Sequence, residues 1–156
     1  MTMTPDEFLA EVVAPALTAL DLDSQAAREL LLGTALQESA LRNIQQMGGP
    51  ALGYFQMEPA THDDIWENFL AYRPDLAARV KALLPDGEPL ASDLLSYPVY
   101  AAAMARVKYY RCPAPLPAAG DLEAQAAYYK RWYNTPGGAA TVAEYMANWR
   151  AAEAAA

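Results

Sequence analysis

Apolar residues recur at three- and four-residue spacing along most of the chain, and that period predicts helices. Phe8, Leu9, Val12, Val13, Ala16, Leu17 and Leu20 form one such stripe, begun by Thr4-Pro5-Asp6-Glu7, with Pro in the first turn and acids at the positive end of the dipole. Pro15 falls inside the stripe and predicts a kink or a split there. After a turn at Asp21–Ser24, capped by Asp23 or Ser24, Leu31, Thr34, Glu38 and Leu41 share one face of a second helix. Thr61 reads as the cap of a third helix, with Asp63 and Asp64 in its first turn and Ile65, Trp66, Phe69 and Leu70 on its apolar side.

Further on, Pro74 to Leu84 predicts a short helix, Pro85 to Ala91 a surface loop, and Pro98 to Tyr110 a longer helix. Pro113, Pro115 and Pro117 stiffen an extended connector. Asp121 caps a helix through about Trp132, followed by a loop from Tyr133 to Ala140 that contains Asn134, Pro136, Gly137 and Gly138. Thr141 and Glu144 make a capping box for the last helix. No stretch alternates with period two for long enough to form a sheet. The pattern predicts one all-α domain over residues 1–156, with six to eight helices and at most a small β turn near residues 48–55.

Composition narrows the function. A hydrophobic fraction of 54% in 156 residues supports a packed core without staples. The single cysteine, Cys112, excludes an intrachain disulfide and a thiolate metal cluster, and the single histidine, His62, argues against a metal site. We expect no metal and no cofactor. The net charge of -8 argues against nucleic acid and against adsorption to a membrane surface. No apolar run approaches a membrane span, and Met1 to Glu11 lacks the basic start and apolar run of a secretory signal.

One stretch carries candidate chemistry. Glu38-Ser39 closes an apolar helix, and a loop with Gly53, Tyr54, Phe55 and Gln56 follows. Glu38 reads either as a surface residue at the edge of the apolar face or as a desolvated acid able to donate a proton near neutral pH. Cleavage of a glycosidic bond needs such a donor. Gly53 would let backbone approach a ligand, Tyr54 and Phe55 would offer flat apolar surface to a sugar, Gln56 would offer an amide, and Ser39 could support Glu38. Glu58 is the one nearby carboxylate that stays open as the base for water in an inverting hydrolase, whereas Asp63 and Asp64 suit a helix N-terminus. His62 reads as a surface or capping residue and Cys112 as an ordinary cysteine, while Tyr128 and Trp132 are the aromatic pair expected to reach the site.

These residues resemble the lytic transglycosylase and goose-type lysozyme superfamily. Its Glu-Ser pair is matched by Glu38-Ser39 and its Gly-Leu-Met-Gln-x-x-Pro-x-Thr motif by Gly53 to Thr61, at the spacing of the soluble lytic transglycosylases. Its C-terminal Tyr-Asn pair is matched by Tyr133-Asn134. Tyr54-Phe55 replaces Leu-Met, and Asn43 stands where a Pro usually follows Glu-Ser. The resemblance implies a lysozyme-like fold and cleavage of the bond between N-acetylmuramic acid and N-acetylglucosamine in peptidoglycan glycan strands. It implies that Glu38 acts as acid and then as base, closing a 1,6-anhydro ring, with Gln56 and the Gly53–Phe55 backbone lining the cleft. Tyr133 would bond near Glu38 or the sugar, and Asn134 would hold its loop. With no secretory signal in view, a phage virion protein delivered to the wall from outside, among other virion proteins, is the expected setting. A hydrolytic muramidase and a non-catalytic structural virion protein are the rival expectations.

Overall fold

The computed structural model describes residues 2–134 and 137–156; the Pro136 of the expected C-terminal loop lies outside them. The chain enters through α1 (Pro5–Phe8), opened by a capping box between Thr4 and Glu7, and continues without a break into a π turn (Leu9–Val13) and α2 (Ala14–Leu20). The π turn is how the stripe tolerates Pro15: widening the helix just before a residue that has no N–H relieves the clash an α-helix would suffer. Asp21 takes a left-handed conformation to end the run, and Ser24 caps α3 (Gln25–Ser39) through its hydroxyl to the Ala27 amide at 3.1 Å.

Helix α3 is the axis of the fold. Leu30, Leu31, Leu32, Gly33, Thr34 and Ala35 are buried in succession, so it is covered on nearly all sides. Its neighbours are α2, the first π turn, α7 (Pro98–Tyr110), α8 (Leu122–Tyr129) and α9 (Val142–Ala155). Gly33 allows the closest of these contacts: a Cβ there would lie 2.0 Å from the Tyr145 hydroxyl of α9. Helix α9 starts at the expected Thr141–Glu144 box, and Asp121 caps α8.

Several boundaries differ from expectation. Helix α4 spans Pro59–Asn68, with Glu58 rather than Thr61 as its N-cap residue, because Pro59 is well suited to the first helical position. Asp63 and Asp64 therefore lie beyond the first turn. Asp63 contacts His62, and Asp64 pairs with Arg111 at 2.6 Å. A 3-10 turn (Leu70–Tyr72) leads into α5, which is Pro74–Lys81 and ends short of Leu84. Beyond the Pro85–Ala91 loop a short α6 (Asp93–Ser96) forms. After α8 a second π turn, Lys130–Asn134, extends the helix through Tyr133 and Asn134, so both sit on helical backbone and not in a loop.

With α1 and α2 counted as one, the described residues form eight helices in a single compact domain. No strand occurs among them. The expected β turn near residues 48–55 is present as isolated bridges, Gln45 with Leu52 and Leu52 with Met57. No described helix is long and apolar enough to cross a membrane.

Candidate active site

Glu38 sits on the last turn of α3, at the floor of a cleft of about 600 Å3. The helix ends one residue later without glycine: Ala40 and Leu41 both adopt left-handed backbone, at φ 53° and 59°. That conformation costs about 1–2 kcal/mol for a residue with a Cβ. Tertiary ties hold it: Met3 donates its amide to the Leu41 carbonyl, and the Leu41 side chain is buried. The helix is thus stopped sharply beside its carboxylate.

The cleft has four walls. The loop after α3 contributes Gln46, Ala51, Gln56, Met57 and Glu58; α4 contributes Thr61; α7 contributes Lys108; and the second π turn contributes Tyr133 and Asn134. Two of these are acids facing one cleft, Glu38 half-buried and Glu58 exposed.

Glu38 has two defined neighbours. The Tyr129 hydroxyl donates a hydrogen bond to Oε2, and the Lys108 ammonium lies within electrostatic reach. Burial pushes the carboxyl pKa of Glu38 up, and this outweighs the Tyr129 bond and the Lys108 charge, which both pull it down. Tyr129 is a donor and not a base, since burial and the Glu38 charge drive its own pKa far above the ordinary range. With Oε2 held by Tyr129, Oε1 is the oxygen available to carry an acid proton. Burial lowers the pKa of Lys108, against the opposing pull of Glu38, Cys112 and Glu58. Its ammonium donates to the Tyr133 carbonyl at 2.9 Å and lies 4.1 Å from the Tyr133 ring centroid.

An aromatic stack carries this arrangement. Tyr129 packs on Tyr145 at 5.0 Å and lies nearly parallel to Tyr133 at 5.9 Å, and Tyr133 packs on Tyr109 at 5.3 Å. Tyr109 is tied to α3 by a 2.8 Å bond between its hydroxyl and Thr34. Glu38 therefore rests against a stack built from α7, α8, the π turn and α9.

The sequence-derived residues divide into those that face the cleft and those that hold it. Gln56 faces it. Its backbone is left-handed, at φ 47°, and its Nε2 donates to the carbonyls of Ile44 and Gly53, both at 2.9 Å, which offsets that strain. Ser39 does not face it: the buried hydroxyl donates to the Tyr54 carbonyl at 2.7 Å, with the Ala35 carbonyl 3.1 Å away, tying helix to loop. Gly53 is required for packing, not for ligand approach. It has φ 79°, and a Cβ would lie 2.3 Å from the Leu94 carbonyl oxygen. Tyr54 and Phe55 are core residues packed against Phe8 at 5.0 and 5.8 Å, so they offer no wall to a sugar.

Tyr133 borders the cleft, but its hydroxyl donates to the Phe55 carbonyl at 2.7 Å and not to Glu38. Asn134 does hold its segment: Lys130 Nζ bonds Asn134 Oδ1 at 2.9 Å together with the carbonyls of Gly138 and Ala140. Tyr128 and Trp132 do not line the cleft; Tyr128 donates instead to the Ala114 carbonyl at 2.9 Å. His62 is buried, not superficial. Trp66 donates to the Tyr100 hydroxyl at 2.9 Å, which leaves the Tyr100 proton for His62 Nε2 at 2.7 Å and His62 Nδ1–H for Asp63 at 3.0 Å.

Sequence reading missed Tyr129, Lys108, Gln46 and Met57, and it assigned Thr61 to a cap. A signal existed for Lys108, a cation in the apolar run from Pro98 to Tyr110. Among the described residues no three His, Cys, Asp or Glu side chains gather as metal ligands would. Comparison with protein-family models, with curated proteins and with solved structures gave no match.

Proposed function

We propose that the protein is a peptidoglycan-cleaving lytic transglycosylase of lysozyme-like fold, with Glu38 as its acid and then its base. The observation that carries this reading is the state of Glu38: a carboxyl with raised pKa at the floor of a cleft, one oxygen held by a tyrosine and the other free. A carboxyl poised in this way stays protonated closer to neutral pH and can protonate a glycosidic oxygen. Lys108 then stabilises the carboxylate that remains, which must recover a proton from the sugar's C6 hydroxyl to close the anhydro ring. Gln56 offers its Oε1 and Gln46 its Nε2 to sugar hydroxyls, their other amide atoms being engaged within the loop. A virion-borne protein reaching the wall from outside is the setting we propose, on the resemblance alone.

A second reading has one observation in its favour. Glu58 shares the cleft with Glu38 and is exposed to water, as the base of an inverting hydrolase would be. Purified cell wall in a turbidity assay, with Glu38→Gln as control, tests cleavage itself. Clearing by the native chain and none by the variant is expected, and equal traces would overturn the enzymatic reading in favour of a structural, glycan-binding protein.

A further inference from the structure

Helix α7 carries a buried cation, Arg106, on a different side from the half-buried Lys108. It is 8% exposed, in a helix whose other buried side chains from Tyr100 to Val107 are apolar or aromatic. Its Nε is enclosed without a hydrogen-bond partner, and no carboxylate among the described residues pairs with the guanidinium. The nearest compensation is the face of Tyr110, 5.6 Å from the guanidinium carbon. Leaving the enclosed Nε–H unpaired is costly, and a leucine or methionine would fill the same space without that cost. Opposite Arg106 is a cavity of about 340 Å3, walled by the connector residues Pro113, Pro115 and Leu116 and by Tyr128. The cavity is preformed: the Tyr128 hydroxyl holds the connector at the Ala114 carbonyl, and the Cys112 thiol donates to the Lys108 carbonyl at 3.4 Å.

We propose that this cavity binds a monocarboxylate joined to an apolar group, with the carboxylate on Arg106 and the apolar part against the prolines and Leu116. The charge arithmetic favours a monoanion. Arg106 is the one cation lining the cavity among the described residues, and a chain of net charge -8 repels a dianion such as phosphate. An arginine fork matches the two oxygens of a carboxylate. The site is separate from the Glu38 cleft and stands whether or not that cleft cuts glycan.

The test is an NMR titration of the 15N-labelled protein with hexanoate, following the Arg106 Nε–H resonance and the amides of Leu116 and Tyr128. A saturable shift with a Kd on the order of 1 mM is expected. Hexanamide, which keeps the chain but not the charge, should bind at least roughly tenfold more weakly, and inorganic phosphate should leave the resonance in place. Arg106→Met should abolish the hexanoate response; the native titration decides the matter even where that variant folds poorly. No saturable shift, or equal shifts with hexanoate and hexanamide, would overturn the proposal.

Discussion

Two neighbouring tyrosines, stacked 5.9 Å apart, should respond to the same substitution in different ways, one through stability and one through the titration of Glu38. Tyr133→Phe removes only the hydroxyl that donates to the Phe55 carbonyl at 2.7 Å. The ring stays, and with it the packing on Tyr109 and Tyr129 and the Lys108 ammonium at its face. What is lost is a buried hydrogen bond whose acceptor has no other donor among the described residues. A neutral bond contributes about 0.5–1.5 kcal/mol, and stranding its buried partner costs about 1–3 kcal/mol, so the variant should lose about 2 kcal/mol. For a chain of 156 residues that corresponds to a fall in Tm of about 4–8 °C. Urea unfolding at neutral pH, with m unchanged, measures it. The loop that ends in Gln56 loses its anchor, so activity per folded molecule should fall as well. A loss below about 0.5 kcal/mol would refute the reasoning, because it would mean the hydroxyl faces water or substrate and not the loop.

Tyr129→Phe removes a bond that favours the ionised form of Glu38, so the carboxyl should hold its proton to higher pH and the alkaline limb of kcat/KM should move up. Lys108→Met takes away the other stabiliser of the carboxylate and should shift the limb the same way; a downward shift in either variant contradicts the assignment. Glu38→Gln tests the linkage directly. A folded-state pKa raised by burial gives stability that is present below the ordinary value of 4.5 and is lost as pH rises through the folded value. The variant should therefore gain stability over the native chain as pH rises above 4.5, read by urea unfolding at each pH, and a constant difference would exclude a shifted Glu38. Gly53→Ala should cost about 2–4 kcal/mol, from left-handed backbone and from a Cβ driven at the Leu94 carbonyl, and a neutral effect in thermal melts would reopen a ligand-contact role.

Much of the scaffold was legible because its signals are local. A helix starts at Thr4-Pro5, Ser24, Asp121 and Thr141 with Glu144 cap helices, and Pro98 opens α7, all where expected. Pro15 announced a disturbance but not its form, since a kink and a π turn answer the same missing N–H. The site was legible only at its centre. Glu38 stands where the helical period put it, but period alone does not tell which turn of α8 faces α3. Tyr128 with Trp132 and Tyr129 with Tyr133 are equally spaced pairs, and packing selects the second. Gly53, Tyr54 and Phe55 read as a ligand loop because glycine beside aromatics also describes a loop folded into a core, as it does here against Phe8 and Leu94. Lys108 escapes a reading of the sequence because lysine in a helix ordinarily marks the solvent face; its half-buried place depends on α7 running through the middle of the domain.

The measurement that bears most directly on Glu38 as acid and base is mass spectrometry of muropeptides released from purified wall by the native chain and by Glu38→Gln. Products with 1,6-anhydro ends are expected from the native chain and none from the variant. Reducing ends would contradict this and pass the second role to water and Glu58, and products from the variant would remove Glu38 from the chemistry.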